Sequence, residues 1–169
     1  RGARGLGIGR HLSYRRQDRS MNDYLILALI LFVYMSLWFI VSLLKRRNDV
    51  ADVAWGLGFV LLAWSAFVLS DGPGVRGLLV NVLVSVWGVR LAWRIHSRNR
   101  GRMEDYRYLA WRTEWGKWFY VRSYAQVYLL QGFLLFLVVS PVLLINGSVA
   151  MGLGMLDALG MAVLLVVFF

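Results

Sequence analysis

The stretch YLILALILFVYMSLWFIVSLL (residues 24–44) decides the fold class of this chain. It contains no charged residue, and as an α-helix rising about 1.5 Å per residue it spans about 30 Å, the thickness of a bilayer's hydrocarbon core. Three basic residues, Lys45, Arg46 and Arg47, follow it directly. The stretch therefore predicts a membrane-spanning helix with a basic flank.

Further apolar blocks of similar character follow along the chain. They cover residues 53–70, 77–95 and 124–145, and a last one starts between Val149 and Asp157 and runs to Phe169. Hydrophobic residues make up 59% of the chain and charged residues 17%, against roughly half and a quarter in a soluble domain. We therefore predict an all-α fold, a polytopic transmembrane helical bundle with about five spans in contact with the lipid bilayer.

Basic residues alternate between the connections. Three lie between the first two blocks, one between the second and third, seven between the third and fourth, and none between the fourth and fifth. Because Lys and Arg concentrate in cytoplasmic loops, we expect residues 45–52 and 96–123 to be cytoplasmic. The net charge of +10 is thus explained by topology, and we expect no nucleic-acid partner.

The two ends of the chain carry expectations of their own. Residues 1–20 hold six arginines, which this topology would place outside, so we expect them to be upstream or vector-derived sequence, with a transit peptide as the alternative. A last helix starting near Asp157 would have only about 13 residues, too few to span. We therefore expect the protein to continue beyond Phe169.

Charged residues near the ends of the second and third blocks require partners. Antiparallel packing brings Asp49 and Asp52 level with Arg90 and Arg94, and charge at this depth is unfavourable unless it is paired. One interpretation is a set of structural ion pairs that includes Asp49, Asp52 and Arg90. The other is a basic pocket for an anionic headgroup or a nucleotide phosphate, because Arg98 continues the spacing of four along one helix face.

The connection between the third and fourth blocks is patterned like a helix at a membrane surface. If it is helical, steps of three and four residues place one set of side chains on one face: Glu104, Tyr108, Trp111, Arg112 and Trp115. Such a helix either lies at headgroup level or forms a cytoplasmic lid that supplies donors and acceptors to a ligand. The chain has no Cys and two isolated His, so no metal site is predicted.

Several motifs occur together in a recognisable order. They are DVADVAWGLGF (residues 49–59), RLAWRI (90–95) with Arg98-Asn99, EDYRY (104–108) with Arg112, Trp115-Gly116, and LQG (130–132) followed by Pro141. In this order they resemble a bacterial membrane family of unknown function related to steroid 5-alpha-reductases. More distantly the chain is similar to isoprenylcysteine carboxyl methyltransferases. The resemblance covers residues 21–169, identified as the N-terminal part of such a domain.

The resemblance implies a fold of six or seven spans in a bacterial inner membrane. It also implies a membrane oxidoreductase that reduces a conjugated carbon–carbon double bond of a steroid- or lipid-like substrate with NADPH. In such families the nucleotide is held largely by a C-terminal half that lies beyond this chain, so the fragment alone is expected to be inactive. The rival functions are a methyltransferase that uses S-adenosylmethionine and a non-enzymatic membrane scaffold or lipid-binding protein.

Candidate site residues follow from this chemistry. Reduction of an enone requires a donor to the carbonyl oxygen as negative charge develops there, and buried Tyr or protonated Glu can serve. Glu104, Tyr106 and Tyr108 are the candidate catalytic residues. The candidate cofactor-binding residues are those suited to phosphates and their surroundings: Arg94, Arg98, Asn99, Arg107 and Arg112.

Overall fold

The computed structural model describes the backbone of residues 5–70, 74–148 and 152–168, and within these ranges the side chains from residue 21 onward except those of residues 165, 167 and 168. In chain order the α-helices are α1 (Gly5–Lys45), α2 (Val50–Leu69), α3 (Val75–Asn99), α4 (Tyr106–Trp115), α5 (Phe119–Ser123), α6 (Leu130–Gly147) and α7 (Met155–Phe168). A 3₁₀ turn (Gly116–Trp118) joins α4 to α5, and a π-helical segment (Tyr124–Leu129) joins α5 to α6. The predicted all-α class is confirmed for the described part of the chain.

Four helical stretches are long and apolar enough to cross a membrane. They are Met21–Lys45, Val50–Leu69, Val75–Asn99 and Tyr106–Gly147, and a shorter apolar helix covers Met155–Leu164. Their outward faces are lined with large apolar side chains, as a lipid-facing surface requires. By length and composition the chain is an integral membrane protein, as the charge-free first block predicted.

The helix ends differ from the predicted apolar blocks. α2 begins at Val50 rather than at residue 53, and α3 continues past residue 95 to Asn99. α1 begins at Gly5 and so runs through residues that we had separated as a basic tail. In each case the helical backbone continues through charged residues, because a helix satisfies its backbone hydrogen bonds within itself and does not end where the lipid does.

α2 lies at the centre of the bundle and packs against α1, α3 and α6. Its closest approach is to α3, where Gly56 and Gly88 face each other. A Cβ atom added at Gly88 would lie 2.6 Å from the carbonyl oxygen of Gly56, so only glycine permits this backbone contact. Leu62 of α2 and Leu135 of α6 are fully buried beside this contact region.

The end of the bundle where α3 begins is held by polar contacts. Asp157 lies in the first turn of α7, the position predicted for it, and pairs with Arg76 of α3 at 2.8 Å. Further inside, the Asn81 amide donates to the Asn146 side-chain oxygen at 3.0 Å, and Asn146 donates to the Ala63 carbonyl at 3.2 Å. These bonds connect α2, α3 and α6, and they satisfy amides that are expensive to bury.

Candidate functional site

Most of the charged side chains that the structure describes gather at the opposite end of the bundle, where α1 ends, α2 begins and α3 ends. We call this the basic end, formed by residues 45–52, 94–107 and Arg112. α1 terminates in a Schellman-type turn: Arg46 adopts a positive φ of 52°, the Arg46 N–H donates to the Leu43 carbonyl, and the Arg47 N–H donates to the Ser42 carbonyl. The turn directs Arg47 and Asn48 towards the segment that follows α3.

Glu104 forms a buried clasp between two connections. Its carboxylate is 7% exposed, accepts a 2.6 Å hydrogen bond from the Asn48 N–H, and pairs with Arg112 at 3.1 Å. The Asn48 amide in turn donates to the Ser123 hydroxyl. These partners occupy the Glu104 carboxylate and tie the α1–α2 connection to α4 and α5.

Arg47 reinforces the same junction. Its guanidinium pairs with the buried Asp49 at 2.6 Å and donates to the carbonyls of Arg102 at 2.9 Å and Asn99 at 3.4 Å. The hydrogen bond to Asp49 raises the pKa of the Arg47 guanidinium above its usual range. A permanent charge therefore bridges two connections that are distant in sequence, the one between α1 and α2 and the one between α3 and α4.

Asp52 is the centre of a second hydrogen-bonded group. Tyr108, 2% exposed, donates its hydroxyl to Asp52 at 3.2 Å, and Arg107 approaches the other carboxylate oxygen at 3.5 Å. Asp105 caps α4 by accepting from the Arg107 N–H and also binds the Arg107 side chain at 3.0 Å. The Arg107 hydrogen bond holds the pKa of the Asp105 carboxyl below its usual value.

A cleft of about 820 Å³ opens beside Asp52, between α2, α3 and α6. This volume falls within the roughly 300–1,000 Å³ of small-molecule sites. Its polar lining consists of Asp52, Arg94, Arg98, Arg107 and Gln131, and its apolar lining consists of Trp55, Leu91, Ile95 and Leu134. The arrangement can receive a ligand that combines an apolar body with negative charge.

The predicted catalytic residues do not share one site. Tyr108 reaches the cleft through Asp52, whereas Glu104 borders a different surface depression with Arg46, Arg102 and others, and Tyr106 is 79% exposed. The separation arises because α4 begins only at Tyr106, with Asp105 in a non-helical conformation. Glu104 therefore precedes the helix whose face it was predicted to share, while Tyr108 and Trp115 are buried on that face.

The predicted cofactor-binding residues divide in the same way. Arg94, Arg98 and Arg107 line the cleft. Asn99 lies beside it, with its side chain accepting from Arg98 at 3.4 Å, and Arg112 belongs to the Glu104 clasp. Three of the predicted cofactor-binding arginines thus line one cleft, and Arg112 lies outside it.

Asp49 and Asp52 form ion pairs with arginines other than those predicted. Asp49 pairs with Arg47, and Asp52 pairs with Arg107, where helix packing had suggested Arg90 and Arg94. Arg90 and Arg94 both lie exposed on α3. The partners differ because the connections fold back over the start of α2 and bring nearer arginines to its carboxylates.

Sequence reasoning missed Arg47 and Asn48 of the basic end and Gln131 of the cleft. Gln131 carried a usable signal, because it is a polar residue within a mostly apolar block that also contains Gln126 and Ser140. Arg47 and Asn48 carried none, since they read as an ordinary basic flank. Among the residues that the structure describes, no group of three or more His, Cys, Asp or Glu side chains is placed to hold a metal ion.

Comparison with known proteins places the chain in a family. Neither the curated proteins nor the solved structures gave a match. A family profile described as "Protein of unknown function (DUF1295)" matches residues 38–169, which include α2 to α7, the clasp and the cleft. Since this match covers well over half of its length, the chain belongs to the DUF1295 family of proteins of unknown function.

Proposed function

We propose that the chain is part of a membrane oxidoreductase that reduces a conjugated carbon–carbon double bond of a lipophilic substrate with NADPH. The observation that carries the proposal is the cleft at the basic end, which joins three chemical functions in one space. It has apolar walls, two exposed guanidinium groups from Arg94 and Arg98, and a carboxylate, Asp52, hydrogen-bonded to a buried phenol. The basic loops support a cytoplasmic position for this end, in a bacterial inner membrane.

The donor set of the cleft fits a phosphorylated cofactor. Arg94 and Arg98 are on successive turns of α3, and guanidinium groups bind phosphate oxygens through paired N–H donors. Arg107 offsets the negative charge of Asp52, so the carboxylate does not repel an anion from the cleft. NADPH supplies a hydride when bound, and Arg98, the outer of the two arginines, would hold one of its phosphates at the mouth of the cleft.

The residues around Asp52 would manage the proton of the reaction. As an enone accepts hydride, negative charge develops on its carbonyl oxygen, and a preorganised donor stabilises that charge. In its protonated form Asp52 faces the cleft and can donate there, and the Tyr108 hydroxyl fixes its orientation. Tyr108 is therefore a positioning residue, and Asp52 takes the role that we first considered for Glu104. The apolar walls exclude water from the reacting bond.

The test compares variants of the full-length protein reconstituted in lipid nanodiscs. NADPH oxidation is followed with a conjugated enone lipid for the wild type, Asp52→Asn, Tyr108→Phe and Tyr106→Phe. We expect Asp52→Asn to lower kcat by about 10²–10⁴-fold. Tyr108→Phe should lower it by about tenfold, the effect of one hydrogen bond of roughly 1.4 kcal/mol. Tyr106→Phe removes the same hydroxyl from an exposed position and should have no effect.

Two results would overturn this assignment. Activity that is unchanged in Asp52→Asn would remove the proposed acid. Transfer of a methyl group from S-adenosylmethionine, without NADPH oxidation, would assign the chain to the methyltransferase alternative.

A second candidate function is that of a non-enzymatic lipid-binding scaffold. It is favoured by the basic end, where the carboxylates of Glu104 and Asp49 are both engaged in structural contacts. Under this alternative, Asp52→Asn lowers the thermal stability of the protein and no turnover is found with any enone.

A further inference from the structure

The lining of the cleft changes from polar to apolar in the same direction on three helices. On α3 the lining residues from the basic end inwards are Arg98, Ile95, Arg94 and then Leu91. α2 presents Asp52 and then Trp55, and α6 presents Gln131 and then Leu134. One helical turn rises about 5.4 Å, so this change occurs over one to two turns. The cleft therefore has a polar mouth and an apolar interior, with Gln131 at the border between them.

Gln131 has an unsatisfied hydrogen-bonding atom at this border. Its side-chain oxygen Oε1 is buried and has no hydrogen-bond partner in the described part of the chain. Leaving a buried polar atom unpaired costs about 1–3 kcal/mol, and spanning helices rarely carry such an atom without a use for it. By contrast, the buried amides of Asn81 and Asn146 satisfy each other. Gln131 thus differs from the structural amides of the same bundle.

The backbone before Gln131 is also unusual. The π-helical segment Tyr124–Leu129 ends two residues before it, and α6 resumes at Leu130. A π-helical insertion shifts the angular position of all residues that follow it, and such insertions are frequent at functional sites. The shift contributes to the orientation in which Gln131 lines the cleft while Val127 and Tyr128 are buried.

We infer that Gln131 is a ligand-recognition residue, and that the ligand is an anionic amphiphile with a hydrogen-bonding oxygen at the junction between its apolar body and its phosphate. The apolar body lies against Trp55 and Leu134, the phosphate meets Arg94, the inner of the two arginines, and the amide of Gln131 bonds the oxygen between them. A glutamine amide can donate to a carbonyl or accept from a hydroxyl by rotation of its end group. The inference rests on the proposed function in that it names the substrate class of the same cleft.

The test measures binding by isothermal titration without NADPH, so it does not depend on turnover. The main probe is 1-lauroyl-glycerol 3-phosphate, which has an ester and a hydroxyl beside its phosphate. Dodecyl phosphate lacks both oxygens, and 1-lauroyl-glycerol lacks the phosphate. Inorganic pyrophosphate and NADP⁺ serve as phosphate sources without an apolar chain. The protein is the wild type, Gln131→Leu, the double variant Arg94→Gln/Arg98→Gln, and Val138→Ala as a control on the exposed side of α6.

The expected pattern separates the two ends of the cleft. Gln131→Leu should weaken binding of 1-lauroyl-glycerol 3-phosphate by about three- to tenfold and leave dodecyl phosphate unchanged. The double arginine variant should weaken both phosphates by tenfold or more and leave 1-lauroyl-glycerol unchanged. Gln131→Leu should also unfold at the same or a higher temperature than wild type, because it removes an unpaired buried atom. If Gln131 had only a structural role, Gln131→Leu would instead unfold at a lower temperature than wild type.

Several outcomes would overturn the inference. One is equal binding of the lipid phosphates by wild type and Gln131→Leu. Another is loss of stability in Gln131→Leu, with all probes weakened together. A third is binding of pyrophosphate as tight as that of the lipid phosphates, which would show that the apolar chain contributes nothing to recognition. Lipid binding that follows the expected pattern, without any NADPH oxidation, would support the inference while removing the reductase proposal.

Discussion

The contact between Gly56 and Gly88 allows a quantitative test of how α2 and α3 pack. A Cβ atom at Gly88 would lie 2.6 Å from the Gly56 carbonyl oxygen and 2.8 Å from a methyl group of Val60. Ordinary contact begins near 3.4 Å, so Gly88→Ala requires the two backbones to separate by roughly 0.8 Å. The nearest obstacle is backbone, which cannot rotate away as a side chain can.

The separation should lower the free energy of unfolding. Overpacking of this kind typically costs about 1–3 kcal/mol, and each kcal/mol lowers Tm by about 2–4 °C in a domain of this size. We therefore expect Gly88→Ala to lower Tm by about 2–12 °C. Gly58→Ala should have a smaller effect, because its closest contact, at 2.5 Å, is a terminal methyl group of Leu135 that can move.

The matched control is Gly160→Ala in α7, where an added Cβ meets nothing within 4 Å. Alanine favours a helix by up to about 1 kcal/mol over glycine, so Tm should stay the same or rise. All three variants are measured by thermal unfolding in one detergent, with tryptophan fluorescence as the signal. A Gly88→Ala protein as stable as Gly160→Ala would show that the two helices do not pack at this distance.

Three other predictions concern polar contacts. Glu104→Ala should reduce the free energy of unfolding by about 1–3 kcal/mol, because it leaves a buried backbone N–H unpaired, whereas Glu114→Ala at an exposed position should change it little in the same denaturation assay. The pKa of the Asp105 carboxyl is lowered in the folded protein, so the stability that its charge adds is present above the usual pKa near 3.8 and is lost as the pH falls through the lower folded-state pKa. Asp105→Asn should therefore have a lower Tm than wild type at pH 7 and the same Tm at low pH. An equal difference in Tm at both pH values would contradict this prediction. Alanine substitutions of Asn81 and Asn146 in a double-mutant cycle should give a coupling energy of about 0.6–1.7 kcal/mol, and additive effects would show that their hydrogen bond contributes nothing.

The sequence determined where the chain crosses the membrane and which parts are polar. A charge-free run such as residues 24–44 has few folds open to it, because backbone groups in lipid must be paired within a helix or a closed barrel. The face of α4 was also predictable, since Tyr108 and Trp115 are seven residues apart, about two helical turns, and both are buried. These properties depend on the spacing of nearby residues and on whether a segment lies in lipid or in water, and both can be read from the order of apolar and polar residues.

Only the tertiary structure decided which charged groups meet. Asp52 joins Tyr108 across 56 positions of sequence, and Asn48 joins Glu104 across the same separation, through connections whose turns no periodic pattern specifies. Glu104 and Tyr108 looked equivalent by spacing, but the non-helical Asp105 sends them to different sites. Only the folded bundle likewise shows that the buried side-chain oxygen of Gln131 has no hydrogen-bond partner among the described residues. Hydrophobic burial is set by composition along one helix, whereas ion pairs and clefts depend on ångström-scale positions of several helices at once.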